Sequence, residues 1–225
     1  MRFKESEYLW TPVALNGQDP FTSYSPASIP VRSETCFDHV VFRKCNKCFN
    51  SSVSPQTVNA FKSAAYKLYG VNSTSDEASS LKVFIFQRGL HYREMHDPDK
   101  LKRFLLDSFP EKKLFVDIHV FNPKSETSQE QIKFVAGADV IIATHGAFES
   151  NIVYMRNSAL LIELTGVYDG VVQESQNFEN LAIMFLVRYK RVVVSSLQDH
   201  RQMRYSLSEP NLDDIAYIIK SAYYV

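Results

Sequence analysis

The residues best suited to chemistry cluster between Ala138 and Gly166, in ADVIIATHGAFESNIVYMRNSALLIELTG. His145 and Gly146 follow a β-type apolar run, at the point where a strand would hand over to a helix. A glycine there lets backbone approach a ligand closely, and the helix start offers free N–H groups and the positive end of its dipole to an anion such as a diphosphate. His145 could donate a hydrogen bond to a phosphate or sugar oxygen, or act as an acid or base near neutral pH. Ala147, Glu149 and Asn151 fall in the first turns after the glycine, where each could touch a ligand or only stabilise the helix start. Glu163 ends the next apolar run, where a carboxylate can accept two hydrogen bonds from a ribose diol. Arg88 and Arg93, in QRGLHYR, follow another strand candidate, and guanidinium groups suit bidentate phosphate recognition. Each has a structural alternative: a capped turn at His145, solvated arginines, a salt-bridged Glu163.

The elements that must position these residues alternate between strand and helix. Leu81–Phe86, Leu114–Phe121, Val140–Ile142, Leu160–Ile162 and Arg191–Ser195 have the apolar, β-branched character of buried strands. Ser54-Pro55 opens a helix with Val58, Phe61, Ala65 and Leu68 inward, and Gly70 is placed to end it. Asp97-Pro98 caps a second helix, with Leu101, Phe104 and Leu105 on its apolar face. Ser128 with Gln131 forms a capping box for a third, carrying Ile132 and Val135. Phe178–Tyr189 reads as a helix with Leu181, Met184 and Phe185 inward, and a last helix follows Asn211 with Ile215, Ile218, Ile219 and Ala222 on one stripe. Such alternation predicts an α/β fold, a Rossmann-like, mainly parallel sheet with flanking helices. In sheets of that kind ligands bind beyond the carboxyl ends of the strands, where the Thr144-His145-Gly146 turn would lie.

Composition bounds the function. The chain has 225 residues, 45% hydrophobic and 22% charged, enough for a substantial core. Lys plus Arg and Asp plus Glu are both 25, so no global field draws it to nucleic acid or to an anionic membrane. No apolar run approaches the roughly 20 residues that span a bilayer, and no signal-peptide core opens the chain. There is no G-x-S-x-G, no H-E-x-x-H, no complete P-loop and no D-x-D, so anion and sugar binding by backbone, Arg and His is favoured over metal or nucleophilic catalysis. No metal ligand is assigned. Cys36, His39, Cys45 and Cys48 have the makings of a zinc site, yet a disulfide or incidental thiols fit as well. The sequons at Asn50 and Asn72 matter only in a secretory lumen.

Taken together, FIFQRGLHYR, SQEQIKFVAGADVIIATHGAFESNIVYM and SALLIEL resemble the C-terminal half of glycosyltransferase family 61. That family includes O-linked N-acetylglucosaminyltransferases of the secretory pathway, of the kind acting on EGF domains, and plant xylosyl- and arabinosyltransferases. Its arginine-bearing strand end, A-D-hydrophobic strand, H-G-A-G-L-T-N and glutamate-ended strand match Arg88 with Arg93, Ala138-Asp139, His145-Gly146-Ala147 with Asn151, and Glu163. CFDHVVF and KLYG resemble the lead-in to this domain. The resemblance spans residues 36 to about 200, with residues 1–35 as an arm or the remnant of a truncated N-terminal domain and 36–225 as the nucleotide-sugar-binding domain. It implies the C-terminal half of a GT-B fold and a UDP-sugar donor. It also implies an inverting hexosyl- or pentosyltransferase that needs no metal, a glycan or protein acceptor, and a place in the lumen of the Golgi or endoplasmic reticulum. Donor binding would fall to Arg88, Arg93, His145, Gly146, Ala147, Glu149, Asn151 and Glu163. The chain departs from the pattern at Phe148 and Glu149, which replace a glycine and a leucine. The alternative reading is a family member that has lost catalysis and acts as a binding protein.

Overall fold

A computed structural model describes residues 54–71, 80–88, 93–111, 113–121, 126–168, 171–172, 177–199 and 202–224. The arm expected over residues 1–35, the Cys36–His39–Cys45–Cys48 group and both sequons lie outside these. The chain divides into two compact units, Met1–Thr57 and Val58–Val225. In the first, the Ser54 hydroxyl accepts the Thr57 N–H at 3.1 Å, the expected cap of helix α1 (Pro55–Tyr69).

Beyond α1, strands and helices alternate as the sequence implies. They are β1 (Leu81–Arg88), β2 (Glu94–Met95), α2 (Pro98–Ser108), β3 (Leu114–Phe121), α3 (Ser128–Gly137) and β4 (Val140–Thr144). A 3-10 helix (Ala147–Tyr154) follows, then β5 (Leu160–Tyr168), β6 (Val171–Val172), α4 (Asn177–Met184), β7 (Arg188–Asp199), β8 (Gln202–Ser206) and α5 (Glu209–Tyr223). The sheet order is β3–β1–β4–β5–β7–β8–β2, with β6 on β5. From β3 to β7 every pairing is parallel, and β8 turns back antiparallel on β7. The expected mainly parallel sheet with flanking helices is therefore present.

One face of this sheet is a continuous apolar layer. Val83 and Ile85 of β1, Val140 and Ile142 of β4, Leu160, Ile162 and Leu164 of β5, and Val192 and Val194 of β7 pack with Leu101 and Leu105 of α2 and Leu212, Ile215 and Ile219 of α5. Because strand side chains alternate, the neighbours Leu161, Glu163 and Thr165 project to the other face. There the 3-10 helix, α3 and α4 pack together, and α4 also packs on β7. Gly166 has a steric reason to be glycine: a Cβ there would run into the Tyr205 ring of β8, which is fully buried against it.

Several expectations need correction. β5 does not end at Glu163; it runs on through Leu164-Thr165-Gly166-Val167-Tyr168, paired with β7 from Leu160 to Gly166. Backbone pairing continues there whatever side chain is carried, and Glu163 is a mid-strand residue. The helix expected to reach Tyr189 stops at Met184, because Leu186 adopts a left-handed conformation (φ 59°) and Arg188–Lys190 already belong to β7. The α3 capping box is formed by Thr127 and Glu130, one residue earlier than expected, with Glu130 accepting the Thr127 N–H at 2.7 Å. The Glu carboxylate outcompetes a Gln amide as the acceptor of such a bond. α5 starts at Glu209 behind Ser208, leaving Asn211 inside its first turn. Finally, α1 buries Val58, Lys62, Ala65 and Tyr66 and leaves Leu68 48% exposed. Gly70 ends it as expected, left-handed at φ 62°, with the Val71 N–H reaching back to the Tyr66 carbonyl at 2.8 Å.

Candidate functional site

The Thr144-His145-Gly146 turn lies at the carboxyl end of β4, and three fastenings hold its backbone. The His145 N–H donates to the Leu164 carbonyl of β5 at 2.9 Å, so the turn follows the edge of the neighbouring strand. The Thr144 hydroxyl donates to the Arg93 carbonyl at 2.8 Å. In return the Arg93 guanidinium donates from Nη1 to the His145 carbonyl at 3.2 Å. Arg93 has φ 57°, a left-handed conformation uncommon outside glycine. The turn and the segment after β1 therefore grip each other through backbone and side chain together.

The His145 ring meets buried acid. Its Nδ1 pairs with Oε1 of Glu163 in a short contact and lies 3.8 Å from Oε2 of Glu149. Glu163 is 0% exposed and Glu149 1%, while the imidazole keeps some access to solvent. Phe178 of α4 meets the same ring edge to face, with centroids 5.4 Å apart. The other Glu163 oxygen, Oε2, accepts the Tyr189 hydroxyl in a second short contact, and Arg191 Nε lies 3.7 Å from it. Arg191 Nε also donates to the Tyr189 oxygen at 3.1 Å. Burial, then the hydrogen bond to Glu163 and its charge, hold the Tyr189 phenol above its ordinary range, so it remains a donor. Burial works against the Arg191 charge, but Tyr189, Glu163 and Glu179 more than offset it and push the guanidinium upward. An ionised carboxylate is tolerated in such a buried place when every oxygen is matched by a donor or a cation.

His145, Arg93, Gly146, Glu149 and Glu163 come together around the turn. Glu149 points inward and caps it, accepting the Gly146 N–H at 3.1 Å while its own N–H donates to the Gly146 carbonyl at 3.0 Å. The N–H expected to meet an anion thus already has an acceptor, and the acid expected to face the anion is folded away from it. Asn151 ties the 3-10 helix to α3, donating to the Gln131 side chain at 3.3 Å. Ala147 opens the 3-10 helix, and Arg88 ends β1 opposite Phe121 of β3. Phe148, where the family pattern has glycine, stacks on buried Phe86 at an interplanar angle of 11° and belongs to an aromatic group with His119, Phe121 and Phe134.

Tyr189 and Arg191 are functional candidates the sequence did not offer. The signal was available in RYKRVVV, where Tyr189, Arg191 and Val193 share a strand face, but helical spacing over Leu181, Met184 and Phe185 masked it. As for cations, the ligand atoms of His145, Glu149 and Glu163 lie within 4.8 Å of one another. Both Glu163 oxygens and Glu149 Oε2 already face protein hydrogens, at His145 Nδ1, Tyr189 and the Gly146 N–H, so a metal taking those atoms would have to open these bonds.

Among the described residues no helix is long and apolar enough to cross a membrane. No curated protein matches the chain. The family model described as Glycosyltransferase 61 matches residues 20–162, from before the described part through β1, β3 and the whole His145 turn to the residue before Glu163. With the match covering most of its length, this chain belongs to glycosyltransferase family 61.

Proposed function

We propose that the chain is the donor-binding half of an inverting, metal-independent glycosyltransferase of GT-B architecture. It takes a UDP-sugar and serves a glycan or protein acceptor in the lumen of the secretory pathway. The observation that carries this reading is the His145 imidazole, held on one nitrogen by a fully buried carboxylate at the carboxyl edge of parallel strands. With Glu163 facing Nδ1, Nε2 is the ring atom left for a ligand, and a protonated ring donates from it. In the transfer an acceptor hydroxyl forms a bond to the anomeric carbon as the bond from that carbon to the diphosphate breaks. The bonding pair leaves with the diphosphate, and the hydroxyl proton passes to a base that this chain does not identify. Preorganised donors at the departing diphosphate are an effective way to speed such a step. His145 and Arg88 supply them here, while Arg93 fixes the turn and adds positive potential. Gly146, Ala147, Glu149 and Asn151 shape the start of the 3-10 helix beneath the donor, and Glu163 acts on it through His145.

Calorimetric titration with UDP and UDP-sugars, with and without EDTA, tests this. UDP should bind whether or not EDTA is present, and His145→Ala and Arg88→Ala should each weaken it about tenfold or more, about 1.4 kcal/mol. Failure of every nucleotide to bind the wild-type chain overturns the reading. Binding without transfer, once acceptor and any partner half are supplied, would favour the binding-protein alternative. The aromatic packing of Phe148, in a place where the family keeps glycine, and the Gly146 N–H already given to Glu149 support that alternative.

A further inference from the structure

Glu163 joins three strands through one carboxylate. Oε1 takes His145 at the end of β4, and Oε2 takes Tyr189 of β7, which in turn accepts from Arg191. Glu163 and Arg191 are register partners across β5 and β7, so the arrangement is built into the strand pairing rather than into a loop. The Tyr189 and Arg191 side chains share the strand face that carries Glu163 and are only partly accessible. A carboxylate with one oxygen unmatched in a buried place would rotate or draw in water, and a histidine depending on it would lose its orientation.

We infer that Tyr189 and Arg191 are positioning residues that commit Glu163 to the Nδ1 hydrogen of His145 and so keep Nε2 turned towards the donor. The inference rests on the donor-site reading for its purpose, but its physical content concerns the ring alone. Neither residue needs to touch the nucleotide. The Tyr189 phenol, held above its ordinary range by burial and by Glu163, does not ionise at working pH and remains a donor throughout. Arg191 supplies the positive charge that Glu163 requires on the side away from His145. Removing the hydroxyl leaves Oε2 facing Arg191 Nε at 3.7 Å, beyond hydrogen-bond length.

Long-range proton–nitrogen NMR of the His145 ring, in the full chain without ligand, tests this. It reads which ring nitrogen carries hydrogen. In wild type the signals should report a hydrogen fixed at Nδ1, joined by one at Nε2 when the ring is protonated, the form that donates to a diphosphate. In Tyr189→Phe, which keeps the ring packing, they should move towards a mixture of tautomers, and UDP affinity should fall about tenfold. Arg191→Lys retains a charge but loses the Nε donor, so it should lie between the two. It also serves as the reading should Tyr189→Phe fail to fold. His145 signals that superimpose in wild type and in the folded variants overturn the inference. A wild-type chain that binds no UDP overturns the donor reading instead, while the ring signals still decide the positioning.

Discussion

Ile162 and Glu163 are adjacent in sequence, and both are fully buried, yet they belong to two differently built halves of the molecule. Ile162 points into the layer under α2 and α5, where β1, β4, β5 and β7 contribute aliphatic side chains that need no hydrogen-bond partner. Glu163 points into the opposite layer, under the 3-10 helix and α4, where His145, Tyr189 and Arg191 converge on it. One face gains from apolar burial at roughly 25 cal/mol per Å². The other holds charge out of water, which succeeds only through matched partners. A sheet can carry a polar site without forfeiting its core because a period of two sends alternate residues to opposite sides.

Substituting the two neighbours should pull these properties apart. Glu163→Ala removes the shared carboxylate and strands a histidine, a tyrosine and an arginine, so it should cost about 3–5 kcal/mol of stability and abolish UDP binding. Ile162→Ala deletes aliphatic volume from the other layer and should cost about 2–5 kcal/mol. In the population that stays folded, its UDP affinity should match wild type. Urea unfolding followed by calorimetry on the folded fraction measures both quantities. A nucleotide affinity that falls equally in the two variants would break the distinction between the faces.

The same contrast explains what was legible in the sequence. The apolar layer announces itself through local runs, and Leu114–Phe121 was readable from end to end for that reason. Stops and caps with local chemistry were also legible: Asp97-Pro98 before α2, and Gly70 after α1. The polar layer was legible only as single residues. His145 and Glu163 stood out by type, but nothing local says that side chains 18 positions apart share a hydrogen bond. Hydrophobicity stops at Glu163 while the strand does not, so a buried acid resembled a strand end. β8, with QMRYS, has too little apolar alternation to be seen without its antiparallel partner β7. Sequence patterns report burial well and report networks poorly, because a network is a property of pairings between strands.

Lys62 offers a smaller test within the same comparison, since it is a buried charge that lacks what Glu163 has. It is 4% exposed on α1, and its ammonium donates to the Asn157 side chain at 2.9 Å and to the Phe185 carbonyl at 2.6 Å. Both acceptors are neutral, and burial pulls its pKa down from 10.5 to about 8. A base with a lower pKa in the folded state is disfavoured as a cation by folding. The unfolded chain therefore binds more protons between about pH 8 and 10.5, and stability attributable to Lys62 rises with pH across that window. Below about pH 8 the penalty is fully present, bounded by about 3.5 kcal/mol at about 1.4 kcal/mol per pH unit, and water reaching the ammonium lowers it. The raised tyrosines, Tyr66 among them at about 12, contribute in the opposite sense above pH 10, but equally in wild type and in a Lys62 variant. The difference between wild type and Lys62→Met in urea unfolding, followed from pH 7 to 10, should therefore shift steadily in favour of wild type. A difference that stays flat across that range would mean that Lys62 is held as comfortably as Glu163, and that the polar layer tolerates charge without an ionic partner.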